Sequence, residues 1–211
     1  NVVSNKIVPV PVVGQFSSIG RASWEWWQVV GELIDNTITI DGKTKVVATL
    51  DTKNKSFRIK DDSIGIPGKD LESVISLGKK VNQGKQLLSY SGVGMKSAIY
   101  WMGTSFELVT KPRTESGHVV YKLTPNFNTA TDSDDMPATF TLEKQVDEMH
   151  PYGTTLTING LKNFPKTIDS MDKASVWLGA TYADYLESGK LDAEIWFSQT
   201  KNINTFRLEP I

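Results

Sequence analysis

The apolar residues of this chain switch repeatedly between helical and strand periodicity and never settle into a repeating strand–helix–strand unit. Ala22, Trp26, Val29, Val30 and Leu33 recur at i, i+3 and i+4 spacing, which predicts an amphipathic helix over Arg21–Ile38. Lys45–Leu50 and Ser56–Lys60 alternate with period two on either side of Asp51–Lys55 and read as a hairpin. Ser105–Thr110, His118–Thr124, Ala138–Glu143 and Thr154–Ile158 read as further strands, and Asp192–Phe197 and Thr205–Leu208 as closing ones. A long helix is expected over Asp169–Leu186, and short ones over Asp70–Leu77, with Asp70 as its N-cap, and Lys96–Met102. Helices interleaved with antiparallel strands favour an α+β layered domain over a doubly wound parallel sheet.

Composition narrows the partners. The net charge of −1 excludes a generic polyanion binder, which needs a surplus of Lys and Arg. Disulfides and thiolate metal sites are impossible without cysteine, and this leans towards a reducing interior, cytoplasmic or nuclear. No apolar run approaches the ~18–20 residues that span a bilayer, so no membrane partner is expected. The 211 residues are expected to form a single domain, and a start at Asn1 suggests a piece of a longer protein. Residues 1–20 read as an extended N-terminal arm, because Val8–Val13 alternates Val and Pro, and proline suits a sheet edge.

Four short segments could carry chemistry. In the first helix Glu32 and Asn36 lie four apart and share one face. A carboxylate there can orient and deprotonate a water, and an amide oxygen beside it can join an octahedral Mg²⁺. Asp61-Asp62-Ser63-Ile64-Gly65-Ile66-Pro67 follows a strand, so Asp61 could accept a hydrogen bond from an exocyclic amine, and Gly65 could let the backbone approach a flat ring. Ser91-Gly92-Val93-Gly94-Met95-Lys96-Ser97 opens a helix, where exposed backbone N–H groups and Lys96 favour phosphate. Lys79, Lys80 and Lys85 in the stretch before it could add charge. Gly153-Thr154 begins a strand and offers a hydroxyl. Each segment alone also reads as a solvated helix face, a plain turn, a flexible loop or an ordinary strand. Trp24, Trp26 and Trp27 crowd the first helix, and core packing or an oligomer contact explains them better than a base-stacking platform.

Their order and spacing say more. A helix with E-x-x-D-N, a strand ending in D-x-G-x-G, a lid before G-x-G-x-K/x-S and a strand starting with G-T together resemble the GHKL superfamily (gyrase, heat-shock chaperone, histidine kinase, MutL). The likeness spans roughly residues 20–160, and ELIDN, DDSIGIPGKDLESVISLGKK and SGVGMKSAIYWMGTSFELVTK look most like the microrchidia (MORC) and heat-shock chaperone branches. The resemblance implies a Bergerat-type two-layer α/β sandwich, with a mixed, mostly antiparallel sheet covered on one face by helices. It implies ATP and Mg²⁺ as cofactors. Glu32 would be the general base, Asn36 the metal ligand, and Asp61 the adenine partner, supported by Thr154 through a water. Gly92, Gly94 and Lys96 would handle phosphates, with Lys96 also easing transition-state charge, under a lid and phosphate loop at 79–97. Asp35, Gly65, Ile66, Val93, Met95 and Ser97 complete the expected nucleotide contacts.

The sequence departs from the pattern at Ser63 and Ser89, where glycine is usual, and at Thr39, where an acidic residue is frequent. A lysine that a following domain gives to the γ-phosphate in MutL and gyrase is not expected here, so slow hydrolysis is. The leading expectation is an ATPase whose lid closure and homodimerisation drive a conformational cycle, in a DNA-related or chaperone-like machine, with nucleic acid reached through further domains. The alternative is a nucleotide switch with little or no hydrolysis. A kinase role is disfavoured, because His118 and His150 sit in strand and loop contexts rather than on a dimerisation helix.

Overall fold

The computed structural model describes residues 2–7, 25–38, 42–72, 99, 101–126, 139–162, 164–165 and 167–211. Among the described residues, alternating apolar residues build nine strands: β1 (Val3–Ile7), β2 (Thr44–Asp51), β3 (Ser56–Asp61), β4 (Ser105–Lys111), β5 (Val119–Asn126), β6 (Thr139–Val146), β7 (Gly153–Asn159), β8 (Leu191–Ser198) and β9 (Ile203–Arg207). They form one sheet in the order β1-β6-β5-β4-β7-β3-β2-β8-β9. Every neighbouring pair is antiparallel except β2 with β8. The fold is α+β with a mixed, mostly antiparallel sheet, as the sequence predicts.

The strands bury alternate residues, such as Val46, Ala48 and Leu50 of β2 and Ile195 and Phe197 of β8. These join one core with the apolar stripe of helix α1 (Trp26–Asp35), namely Trp26, Val29, Val30, Leu33 and Ile34. Trp26 is buried and meets the half-buried Trp27 edge to face, so both pack against the core rather than forming a stacking platform. Met171, Ala174 and Leu178 of helix α2 (Ile168–Thr181) enter the same core.

Three elements differ from the sequence reading. The helix expected over Arg21–Ile38 begins only at Trp26, because Glu25 is extended (φ −84°, ψ 144°) and caps it, and it ends at Asp35. The helix expected over Asp169–Leu186 breaks at Tyr182, and Ala183–Glu187 forms a separate short α3. Tyr182 leaves helical geometry (φ −107°, ψ 18°) because its ring turns inward and is 2% exposed. Asp70 ends a 3₁₀ turn, Gly68–Asp70, that runs directly into helical Leu71 and Glu72. The rest of the helix expected there and residues 8–20 of the arm lie outside the described residues. Among the described residues no helix is long and apolar enough to cross a membrane.

Candidate active site

Antiparallel pairing brings four chain ends to one end of the sheet: the start of β2, the end of β3, the start of β7 and the end of β4. Asp61 is the last residue of β3, paired to Val46 on one side and Thr154 on the other. It is 8% exposed, although it is an acid at a strand end. Its carboxylate accepts a hydrogen bond from the Ser63 N–H at 2.9 Å and another from the Ser63 hydroxyl. Burial pushes the carboxyl up to about 6, against the pull of bonds from Ser63 and Thr154 towards the charged form. Ser63 therefore replaces the usual glycine without strain. It is not among the residues at positive φ, and its hydroxyl adds a partner for the acid.

The turn that follows is clamped from β4 and the segment after it. The Arg113 guanidinium donates to the carbonyls of Ser63 and Asp62, and its backbone N–H donates to the Ile64 carbonyl at 2.8 Å. Glu115 accepts from the Gly68 N–H at 2.7 Å and from the Tyr121 hydroxyl at 2.6 Å. Gly65 has φ +72°, and a Cβ there would lie 2.6 Å from the Lys111 carbonyl oxygen. The close approach that requires glycine at this position is thus to the backbone of Lys111 and Pro112. Gly153 has φ +112°, and its missing side chain makes room for the Asp61 carbonyl.

Thr110 and Lys111, the last residues of β4, carry no recognisable motif and yet tie these parts together. Thr110 is fully buried. Its Oγ1 accepts from the Ile66 N–H at 2.8 Å, donates to the Gly153 carbonyl at 3.2 Å and lies 2.9 Å from the Thr154 hydroxyl. Lys111 is 1% exposed. It spends its three protons on the carbonyls of Asp147, Glu148 and His150, at 2.8, 3.1 and 2.8 Å, with Tyr152 4.6 Å below the ammonium. The ammonium thereby shapes the turn that delivers Gly153 and Thr154.

The second cluster is the C-terminal end of α1. The Asn36 amide nitrogen donates to the Glu32 carbonyl at 2.7 Å, which identifies the other end of the amide as its oxygen. Burial, and then the charge of Asp35, hold the Glu32 carboxyl above the ordinary carboxylate range. Asp35 itself is raised by burial and is engaged by the Tyr182 hydroxyl, which also reaches the Gly31 carbonyl at 2.8 Å. The exit of this helix is fastened to the sheet, because the Thr44 hydroxyl donates to the Thr37 carbonyl at 3.0 Å. Thr44 opens β2 at the end of the sheet where Asp61 closes β3, so Glu32 and Asn36 belong to the same end of the molecule as the Asp61 network.

Asp61, Ile66 and Thr154 thus meet in one hydrogen-bonded network, with Gly65 in the turn between them packed on the Lys111 and Pro112 backbone, and Glu32, Asp35 and Asn36 cluster at one helix end. Gly92, Val93, Gly94, Met95, Lys96 and Ser97 lie outside the described residues, as do Lys79, Lys80, Lys85, Ser89 and Thr39. Thr110, Lys111, Arg113 and Tyr182 escaped the sequence reading because a strand-end Thr-Lys and a lone tyrosine carry no spacing signal. His118 precedes β5 and His150 lies in a turn, neither of them on a helix. Among the described residues no three His, Asp or Glu side chains assemble as a metal cage. A Mg²⁺ held by one amide oxygen, phosphates and waters requires none.

No curated protein matches the chain. A family model described as "Histidine kinase-, DNA gyrase B-, and HSP90-like ATPase" matches residues 24–154, more than half of the sequence, from the start of α1 to the strand that carries Thr154. The match does not separate the branches of that family. A buried acid at the end of β3, a Gly-Thr strand beside it and a helix bearing Glu32 and Asn36 all fall inside the matched segment, and the chain belongs to this family of GHKL-type ATPases.

Proposed function

We propose that the domain binds Mg²⁺-ATP with the adenine amine on Asp61 and hydrolyses it with Glu32 as general base. The observation that carries this reading is the buried Asp61 carboxylate, held by Ser63 and set beside Thr154 at a strand end. Such an acceptor is costly to bury and suits an amine donor. Thr154 supports the base through a water, and Ile66 and Asp35 stand at the margins of the nucleotide.

Asn36 fits a metal, because the nitrogen end of its amide is spent on the helix and its oxygen is the end a hard cation takes. Mg²⁺, when bound, supplies neutralisation of phosphate charge. Glu32 takes a proton from the attacking water, whose oxygen bonds to the γ-phosphorus as the bond to the ADP oxygen breaks. Its raised proton affinity brings it closer to working pH, as a base requires. Backbone N–H groups of Gly92, Val93, Gly94, Met95 and Ser97, with Lys96, take the phosphate charge. Closure of a lid at 79–91 excludes water, and two protomers pair through the 1–20 arm, driving a cycle that serves a larger machine.

The test is ATP binding by calorimetry and phosphate release, on this chain and on Glu32→Ala. Binding by both, with turnover lost in the variant, supports the reading. Binding without turnover in either replaces it with a nucleotide switch. No binding, even with Mg²⁺, overturns it.

A further inference from the structure

The Thr110 hydroxyl has one proton and three neighbours. The Ile66 N–H can only donate to it, and the Gly153 carbonyl can only accept from it. The third neighbour, the Thr154 hydroxyl at 2.9 Å, can do either. Only one arrangement satisfies all three contacts. Thr110 donates to Gly153, accepts from Ile66, and accepts from Thr154. The Thr154 proton is then spent inside the protein, and only its oxygen lone pairs remain for a ligand. Thr110 is fully buried, so no water competes for its proton. Thr154 is half-buried.

We propose that Thr110 is a specificity-determining residue that fixes the polarity of the Thr154 hydroxyl, so that Asp61 and Thr154 together present acceptors only. This rests on the adenine assignment of Asp61 made above. An exocyclic amine, with two N–H donors, satisfies such a pair, one N–H going to Asp61 and the other to the bridging water whose own proton goes to the Thr154 oxygen. A carbonyl at the same place on the base, as in hypoxanthine, faces acceptors and is rejected, because a buried polar group left without a partner weakens binding strongly. Thr110 itself touches no nucleotide. It acts by deciding which way a neighbouring proton points.

The experiment compares Mg²⁺-ATP and Mg²⁺-ITP affinities by calorimetry for the wild type, Thr110→Val, Thr110→Ser and Asp61→Ala. Valine keeps the volume and removes the hydroxyl, so Thr154 is released to donate. The expected result is a fall in the ATP-over-ITP preference of about tenfold in Thr110→Val, the worth of one hydrogen bond, with Thr110→Ser keeping the wild-type preference. Equal weakening of both nucleotides in Thr110→Val, or a Thr110→Ser variant that behaves like valine, overturns the proposal and leaves Thr110 as loop support. Failure of the wild type to bind ATP, or unchanged binding in Asp61→Ala, overturns the adenine assignment instead. Proton direction is then read in the nucleotide-free protein by NMR. Scalar coupling from the Thr110 hydroxyl proton to the Gly153 carbonyl carbon supports the assigned polarity, and coupling of that proton towards Thr154 refutes it.

Discussion

Asp61 should destabilise the fold at neutral pH, and replacing it by asparagine should show by how much. Burial raises its carboxyl from the ordinary 3.8 to about 6. A group whose folded value lies above its unfolded value contributes stability that is fully present below 3.8 and is lost as pH rises through about 6. That interval, at 1.36 kcal/mol per pH unit, comes to about 3 kcal/mol. Asparagine pays no ionisation cost at any pH, but its amide nitrogen cannot accept the bond that Thr154 gives the carboxylate, a loss of about 1 kcal/mol. Asp61→Asn should therefore be about 1 kcal/mol less stable than wild type near pH 3.5 and about 2 kcal/mol more stable at pH 8. Urea unfolding of both proteins across that range reads the difference, and the change with pH cancels whatever the substitution does to packing. A stability gap that stays constant from pH 3.5 to 8 would refute the argument that burial, rather than bonding, dominates this acid. The same substitution should abolish ATP binding, so that stability and function move in opposite directions at one residue.

Three further outcomes follow from named contacts. Gly153→Ala should cost about 3 kcal/mol or more in denaturant unfolding, because its Cβ would run into the Asp61 carbonyl; Gly117→Ala, also at positive φ (+85°) but with open space around it, should cost only about 1–2 kcal/mol. Lys111→Met should destabilise by about 2–3 kcal/mol, since three carbonyls lose their shared donor, and should raise the KM for ATP by loosening the turn before Thr154. The acid limb of ATP turnover should lie above 4.5, the ordinary glutamate value, because burial and Asp35 hold Glu32 protonated to higher pH; a limb at or below 4.5 in a kcat–pH profile would remove Glu32 as the base.

What could be read from the sequence follows from what leaves a local trace. Strand alternation placed β2 and β3 within a residue of their observed ends, because their burial repeats every second residue. The α1 stripe was legible for the same reason at period 3.6, and Glu25 and Gln28 cap its start through a bond of 2.9 Å between side chain and backbone. The break at Tyr182 was not legible. Nothing in Ala180-Thr181-Tyr182-Ala183 opposes helix, and the cause is a hydroxyl reaching residues 147 and 151 positions away. Thr110 is hidden likewise, since its partners are 43 and 44 residues distant. Glycine at 65 and 153 was visible, but its reason was not. The sequence suggested room for a ring at Gly65, whereas the crowding there comes from the protein's own backbone.

The family-matched segment ends at Thr154, inside β7, but the site it contains is not built by that segment alone. β2, whose first residue anchors the exit of the Glu32 helix, has β3 on one side and β8 on the other, in parallel register from Thr44 against Leu191 to Asp51 against Ser198. The Thr44 N–H itself donates to the Lys190 carbonyl at 2.8 Å. Tyr182 meets the backbone of the Glu32 helix at Gly31, and Leu178 and Met171 fill the core beneath it. Without α2 and β8, β2 would become an edge with unpaired backbone groups, and Val46, Ala48 and Leu50 would lose the neighbours Ala193, Ile195 and Phe197. The residues after 160 therefore hold the helix that carries Glu32 at the end of the sheet where Asp61 lies. The matched segment carries the residues proposed for the chemistry, and the part of the chain after it supplies the rigidity that keeps Glu32, Asn36 and Asp61 at one end of the sheet.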